Sequence, residues 1–356
     1  MIIEKDITNY CTFDPPHDNT ITANTTLNVI YGGEVIHQEE LYVYSNDIFN
    51  LPYNISNKVT DCSNMFKSCN SFNQSVTIPN NVTNTAYMFR DCTNFNKLIT
   101  IPNNVTNTTY MFYNCSSLNQ PVTIPNNITD TSGMFYGCGS FNQPVIIPNN
   151  VTNITYMFGV CYKFNQPVNI PNNVTNTFCM FNMCAKFNQQ IIIPDNVTDT
   201  AYMFGSCYNF NQQIIIPNNI TNTFSMFSGC TNFNQPVTIP NNVIDTSRMF
   251  DSCGSFNQPV NIGKNVTNTS NMFRNCSDLN QNIYIRSNKI YNVRNMLYDH
   301  NASKQINLFC ANLASLNKTT ASTSLIGAAI TWTAMTNGYY NSAYNIYLYN
   351  NLPVEI

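Results

Sequence analysis

The sequence predicts a repeat solenoid of about ten to eleven 23-residue rungs, each a short parallel β-strand plus a helical or 3-10 turn, closed by a β-rich N-terminal cap and a mixed C-terminal cap. Three observations predict it. The dipeptide Met-Phe begins at Met65, Met88, Met111, Met134, Met157, Met180, Met203, Met226, Met249 and Met272, always 23 residues apart. A Cys follows each Phe at the third position, from Cys69 to Cys276, then an apolar residue (Phe72, Phe95, Leu118) and an Asn, from Asn73 to Asn280. A unit of 23 residues is too short to bury a core alone, so each must stack on its neighbours.

Residues 1–51 do not repeat. Thr26–Tyr31 and Glu34–His37, separated by Gly32-Gly33, read as a β-hairpin, and Leu41–Tyr44 as a third strand. The segment is expected to cap the first rung's open edge or to dock the array onto something larger. The array spans 52–298. Within a unit, Val122-Thr123-Ile124 alternates in, out, in, and Pro125 ends the strand because it has no N–H to donate. The stretch Asn-Thr-x-x-Met-Phe-x-x-Cys spaces Met, Phe and Cys as one inward-facing helical or 3-10 turn would. A decayed eleventh copy ends at Met296-Leu297, one residue out of phase. Residues 299–356 leave the period and are expected to form a second cap or docking segment. There Ser303–Leu316 has helical apolar spacing (Ile306, Phe309, Cys310, Leu313), and Tyr344–Tyr349 reads as a strand near Trp332, the single Trp.

Composition excludes several classes. Only 9% of residues are charged, the net charge is −3, and 64 are Asn, nearly one in five. Soluble globular domains carry about a quarter charged residues. With 43% hydrophobic and 13% aromatic residues the chain is not disordered. It has no basic stripe for nucleic acid and no apolar run of about 18 residues for a membrane span. The opening Met1–Asp6 lacks the cationic and apolar regions of a secretory leader, and export through that route is therefore not expected.

The repeat I-P-x-x-V-T-x-x-x-x-M-F-x-x-C-x-x-F resembles the leucine-rich repeat of BspA-like surface proteins, the Treponema pallidum type. Its Met-Phe and Phe-Asn-Gln-Pro elements are more similar still to the mycoplasma-type surface-protein repeat, which also occurs in phages and large viruses. The resemblance covers about residues 52–298. It implies a leucine-rich-repeat-like architecture and a displayed or adhesive role, and it brings no catalytic residue with it.

Chemistry is sparse. The periodic Cys lack the paired spacing of a zinc site and are expected to form a buried, reduced ladder, because in-register side chains point the same way. The ladder Asn73, Asn96, Asn119 is expected to satisfy backbone groups at each corner. Eight Asn-Val/Ile-Thr triplets, among them Asn81-Val-Thr83, match the glycosylation pattern but read more simply as turns around a buried Val or Ile. His17, His37 and His300 are far apart, and no nucleophile or phosphate-loop motif occurs. No enzyme activity, metal or cofactor is therefore expected.

Binding surfaces remain. The middle residue of each strand is expected to point outward, which nominates Thr123, Ile146, Asn169, Ile192, Ile215 and Thr238 as ligand-binding residues, with the three Ile as an apolar stretch. A second row, Tyr87, Tyr110, Tyr156 and Tyr202, precedes Met-Phe. The leading expectation is a non-enzymatic virion surface protein, a phage fibre or decoration protein acting in structure and host attachment. Its partners would be other virion proteins, further copies of itself and a host surface protein or glycan, without nucleic acid or membrane insertion. The alternative is a bacterial or protist cell-surface adhesin of the BspA-like kind.

Overall fold

The computed structural model describes residues 2–6, 25–31, 34–41, 50, 54–290, 292–311, 325, 326, 333–336, 338–350 and 352. The chain divides into two compact units, Met1–Asn173 and Val174–Ile356.

In the first unit, β1 (Ile2–Asp6) pairs parallel with β2 (Thr25–Tyr31), which pairs antiparallel with β3 (Glu34–Leu41). The hairpin expected from sequence is therefore present, with its register shifted between Val29 and Ile30. The third strand is β1; residues 42–44 lie outside the described residues, as do Gly32-Gly33, Cys11 and His17. Beyond the hairpin, stacked rungs build the core. Each presents Met, Phe, Cys and the following Phe to the interior, as with Met88, Phe89, Cys92 and Phe95, all fully buried. Equivalent rings stack on one another, Phe66 on Phe89 at 5.4 Å and Phe89 on Phe112 at 5.6 Å between centroids. Within a rung the two rings are closer still, 4.4 Å for Phe89 and Phe95. Offset stacking of this kind adds to the burial each ring already provides.

The Met-Phe segment is not the helical or 3-10 turn its spacing suggests, and no helix occurs among the described residues. The residues before Met and before Cys adopt left-handed backbone, φ 59° at Tyr87 and 62° at Asp91, which interrupts any helix. Amides then alternate their partners. Met88 N–H donates to the Thr85 carbonyl within the rung, Phe89 N–H to Met111 in the next rung, Arg90 N–H to Tyr87 within, and Asp91 N–H to Tyr113 beyond. A helix would consume every amide locally; a stacked rung must give half of them to its neighbour.

The tripeptide Val-x-Ile keeps the expected in-out-in burial, with Val122 and Ile124 buried around exposed Thr123. In most rungs it does not form a hydrogen-bonded strand, because proline at the Pro125-type position has no N–H to extend a ladder. Parallel bridges form instead at the Asp/Asn corner, Asp61 to Asn84 to Asn107.

The second unit stacks rungs in the same way, Phe181 on Phe204 at 5.9 Å and Phe204 on Phe227 at 5.8 Å. Here Gly263 and Arg286 occupy the proline position, and Arg286 N–H bonds the Ile262 carbonyl. Paired strands appear at that point. A six-stranded sheet contains β4 (Val260–Ile262), β5 (Asn282–Ile285), β6 (Ile306–Cys310), β7 (Thr333–Met335), β8 (Gly338–Asn341) and β9 (Ile346–Tyr349), in the order β4-β5-β6-β9-β8-β7. The first four in that order are parallel and the last two pairings antiparallel. The strand expected at 344–349 is β9. The helix expected over 303–316 is corrected: Ile306, Leu308 and Cys310 alternate inward as β6, while residues 312–316 and Trp332 lie outside the described residues. The parallel edge that β5 offers at hydrogen-bonding distance outweighs a marginal helical spacing.

Candidate binding surfaces

The outward row falls where the alternation places it. In the first unit Thr123, Ile146 and Asn169 are exposed, Ile146 by 85%; in the second, Ile192, Ile215 and Thr238 are exposed, the two Ile by 78% and 80%. Within the second unit Thr238 bridges to Asn261, and Asn261 pairs with Tyr284, Tyr284 with Phe309 and Phe309 with Tyr349. The row thus ends in three half-buried aromatics, stacked at 5.3 Å (Tyr284 on Phe309) and 4.7 Å (Phe309 on Tyr349). The sequence-derived row from Thr123 to Thr238 does not reach these aromatics, and Phe309 is assigned there to a helical apolar spacing instead. The period-2 pattern of residues 306–310 was the available signal.

The tyrosine row is also present. Tyr87, Tyr110, Tyr156 and Tyr202 all adopt left-handed backbone and are half-buried. Tyr87 stacks on Tyr110 at 5.3 Å, and the Tyr110 ring lies over Gly133, where any Cβ would collide with it. Tyr113 and Tyr136 stack beside them at 4.9 Å, and the Arg90 guanidinium sits 4.9 Å from the Tyr113 ring centre while pairing with Asp91 at 3.2 Å. Tyr113, Tyr136 and Arg90 escaped the sequence reading because they follow Met-Phe, where no single residue type recurs.

The other ladders are structural. Asn96 N–H bonds the Asn73 side-chain oxygen at 2.9 Å, Asn119 N–H bonds Asn96 at 2.9 Å, and Asn234 N–H bonds Asn211 at 2.9 Å. Glycosylation-type asparagines have a use for their amides too: Asn104 donates to the Asn80 carbonyl at 2.6 Å and Asn150 to Asn126 at 2.9 Å. A glycan on either amide would replace one of its two N–H groups. The described cysteines are buried thiols. Cys92 donates to the Phe66 carbonyl at 2.9 Å and Cys230 to Phe204 at 2.9 Å. Burial pushes the thiols well above their ordinary range, Cys179 and Cys310 to about 12. Such groups remain protonated and are poor nucleophiles or metal ligands.

Asp251, nearly buried, is clamped by Arg274 through two bonds of 2.8 Å, a pairing between successive rungs. His300 Nε2–H donates to the Lys304 carbonyl at 2.9 Å, and burial lowers the pKa of the ring. Asp251 also accepts from the Ser252 hydroxyl at 3.1 Å. Among the described residues no cluster of His, Cys, Asp or Glu is placed to hold a metal ion.

The family described as "Mycoplasma protein of unknown function, DUF285" matches the chain three times, at residues 47–145, 124–218 and 215–312. The chain belongs to this family. Its matches span the array, in agreement with the mycoplasma-type, BspA-like resemblance of the Met-Phe-x-x-Cys-x-x-Phe-Asn-Gln-Pro unit. No curated protein matches the chain. Among solved structures, a leucine-rich cell surface protein from Faecalibacterium prausnitzii is 22% identical, covering 65% of this chain and 77% of its own, with a TM-score of 0.39. A leucine-rich repeat protein from Bacteroides ovatus is 16% identical over 72% of this chain and 77% of its own, TM-score 0.44. Another from Eubacterium ventriosum is 16% identical over 82% and 86%, TM-score 0.46. The 23-residue period and the stacked rungs described above make the chain a repeat solenoid.

Proposed function

We propose that the chain is a non-enzymatic display solenoid at a cell surface, holding outward side chains in a fixed register for attachment to a partner. The observation that carries this reading is the outward row. Rungs are tied to one another elsewhere by backbone bonds, such as Thr198 N–H to the Thr175 carbonyl and Thr221 N–H to Thr198, while Ile192 and Ile215 leave apolar side chains largely in solvent. Large apolar residues at that exposure contribute little to folding and are well suited to contact. The family is described from Mycoplasma, a cellular organism, which favours a cellular setting.

Protease shaving of intact source cells tests the display. Array peptides released from intact cells support it; array peptides released only after lysis overturn it. For the row itself, replacing Ile192 and Ile215 together by Asp should leave the melting temperature nearly unchanged, since surface changes are worth within about 0.5 kcal/mol. The same change should reduce adhesion of coated beads to host cells by about tenfold or more. Undiminished adhesion would remove these residues from the contact.

A further inference from the structure

We propose that the C-terminal sheet carries a binding slot for one pyranose ring of a neutral glycan, between Tyr349 and Met335 above Gly338. This site is separate from the isoleucine row, though its biological sense rests on the display reading above. The argument starts from register. Tyr284, Phe309, Tyr349, Gly338 and Met335 are directly opposite one another on five neighbouring strands and therefore share one face. The first three stack ring on ring at 5.3 and 4.7 Å, with planes inclined by 17° and 12°. The next position in the column is glycine, which provides no ring to continue the stack. A Cβ at Gly338 would run into the Leu348 carbonyl, so close strand packing enforces the gap.

Two strand spacings of about 4.8 Å separate the Tyr349 and Met335 backbones, or about 9.6 Å. A flat ring needs about 3.5–4.0 Å of contact distance on each side, so the gap admits a single ring. Its walls would be an aromatic face and a thioether, and its floor backbone.

The adjacent column identifies the chemistry. Asn282, Asn307 and Tyr347 are opposite one another on β5, β6 and β9, with Thr333 further along the face on β7. Asn307 donates to Asn282 at 2.8 Å, and Asn282 donates to the Tyr284 hydroxyl at 3.1 Å. Amides and hydroxyls thus line one edge of a row of aromatic faces, and none of the named residues is charged. A pyranose matches this pattern: its axial C–H groups form an apolar face for Tyr349, and its equatorial hydroxyls extend sideways toward amides and hydroxyls. A charged ligand would find no counter-charge among these side chains, and a purely aromatic one would not use the polar column.

The test is saturation-transfer NMR on the full chain, with methyl β-D-galactopyranoside and methyl β-D-glucopyranoside as probes, beside Tyr349→Ala, Tyr349→Phe and Ile215→Ala. Transfer concentrated on the C–H protons of one sugar face is expected. It should fall about tenfold in Tyr349→Ala, equivalent to about 1.4 kcal/mol, and be retained in Tyr349→Phe and Ile215→Ala. Circular dichroism confirms that each variant is folded. Absence of transfer to both glycosides, or equal transfer in folded Tyr349→Ala, overturns the proposal. So does a dimer in light scattering that Tyr349→Ala dissolves, which would make the slot a contact between copies. A surface-displayed chain without glycoside binding defeats this inference alone, whereas a chain absent from the surface defeats the display reading.

Discussion

A single phenylalanine in this array has neighbours above, below and within its own rung. Phe204 touches Phe181 at 5.9 Å, Phe227 at 5.8 Å and Phe210 at 4.2 Å, and it is fully buried. Replacing it by Ala should cost about 3–5 kcal/mol, measured by urea denaturation, because the stacked rungs are held by backbone bonds on both sides and collapse poorly into the cavity. Cysteine behaves differently. In the fold burial raises the thiol pKa of Cys115, Cys207 and Cys253 well above the ordinary value of 9.0. The unfolded chain therefore releases these protons first as pH rises. With fewer protons bound to the unfolded state, stability falls with increasing pH. It should be fully present below about pH 9 and decline steadily above it, read as a falling melting temperature under reducing conditions. A melting temperature flat from neutral pH to strongly alkaline conditions would mean that the thiols are not held protonated.

At the scale of one element, the corner asparagine decides whether a rung closes. Asn234 accepts Asn257 N–H at 2.8 Å and the Gln258 side-chain amide at 3.1 Å. Asn234→Ala removes this acceptor and with it both bonds, and should destabilise by about 1–2 kcal/mol, whereas Asn234→Asp retains an acceptor and should lose less. Chemical denaturation of the pair separates the two. This corner role was legible in the sequence, since the Asn recurs in ten rungs at a place where a turn leaves amides unpaired. The turn that follows was not. Spacing of three between Phe89 and Cys92 suits a helical turn as well as it suits the observed chain reversal. The choice was made by left-handed backbone at Tyr87 and Asp91, a conformation that Tyr and Asp do not announce. The same ambiguity misled at Phe309, where a helical spacing and a strand alternation coexisted until β5 supplied a partner.

For the molecule as a whole, a stacked repeat should tolerate the loss of a complete period far better than a fraction of one. Deleting residues 200–222, one period of the second unit, joins Asp199 to Thr223 in phase. The product should stay folded and cooperative, with a denaturant slope reduced in proportion to the surface removed. Deleting 200–211 instead brings buried Phe positions opposite exposed ones and should abolish the cooperative transition. A half-period deletion that melts like the parent would contradict the ladder.

The sequence by itself determined the period, the buried Met, Phe and Cys, the exposed row from Thr123 to Thr238, and the corner asparagines. Each of these depends on position within one rung, and ten copies repeat the information. Tertiary structure alone decided which rungs pair as strands, how β6 and β9 extend the sheet, and that Tyr284, Phe309 and Tyr349 form one column ending at Gly338. Those outcomes depend on which backbone groups meet across segments tens of residues apart. No local spacing encodes that, because a hydrogen bond is specified only when both partners are in place.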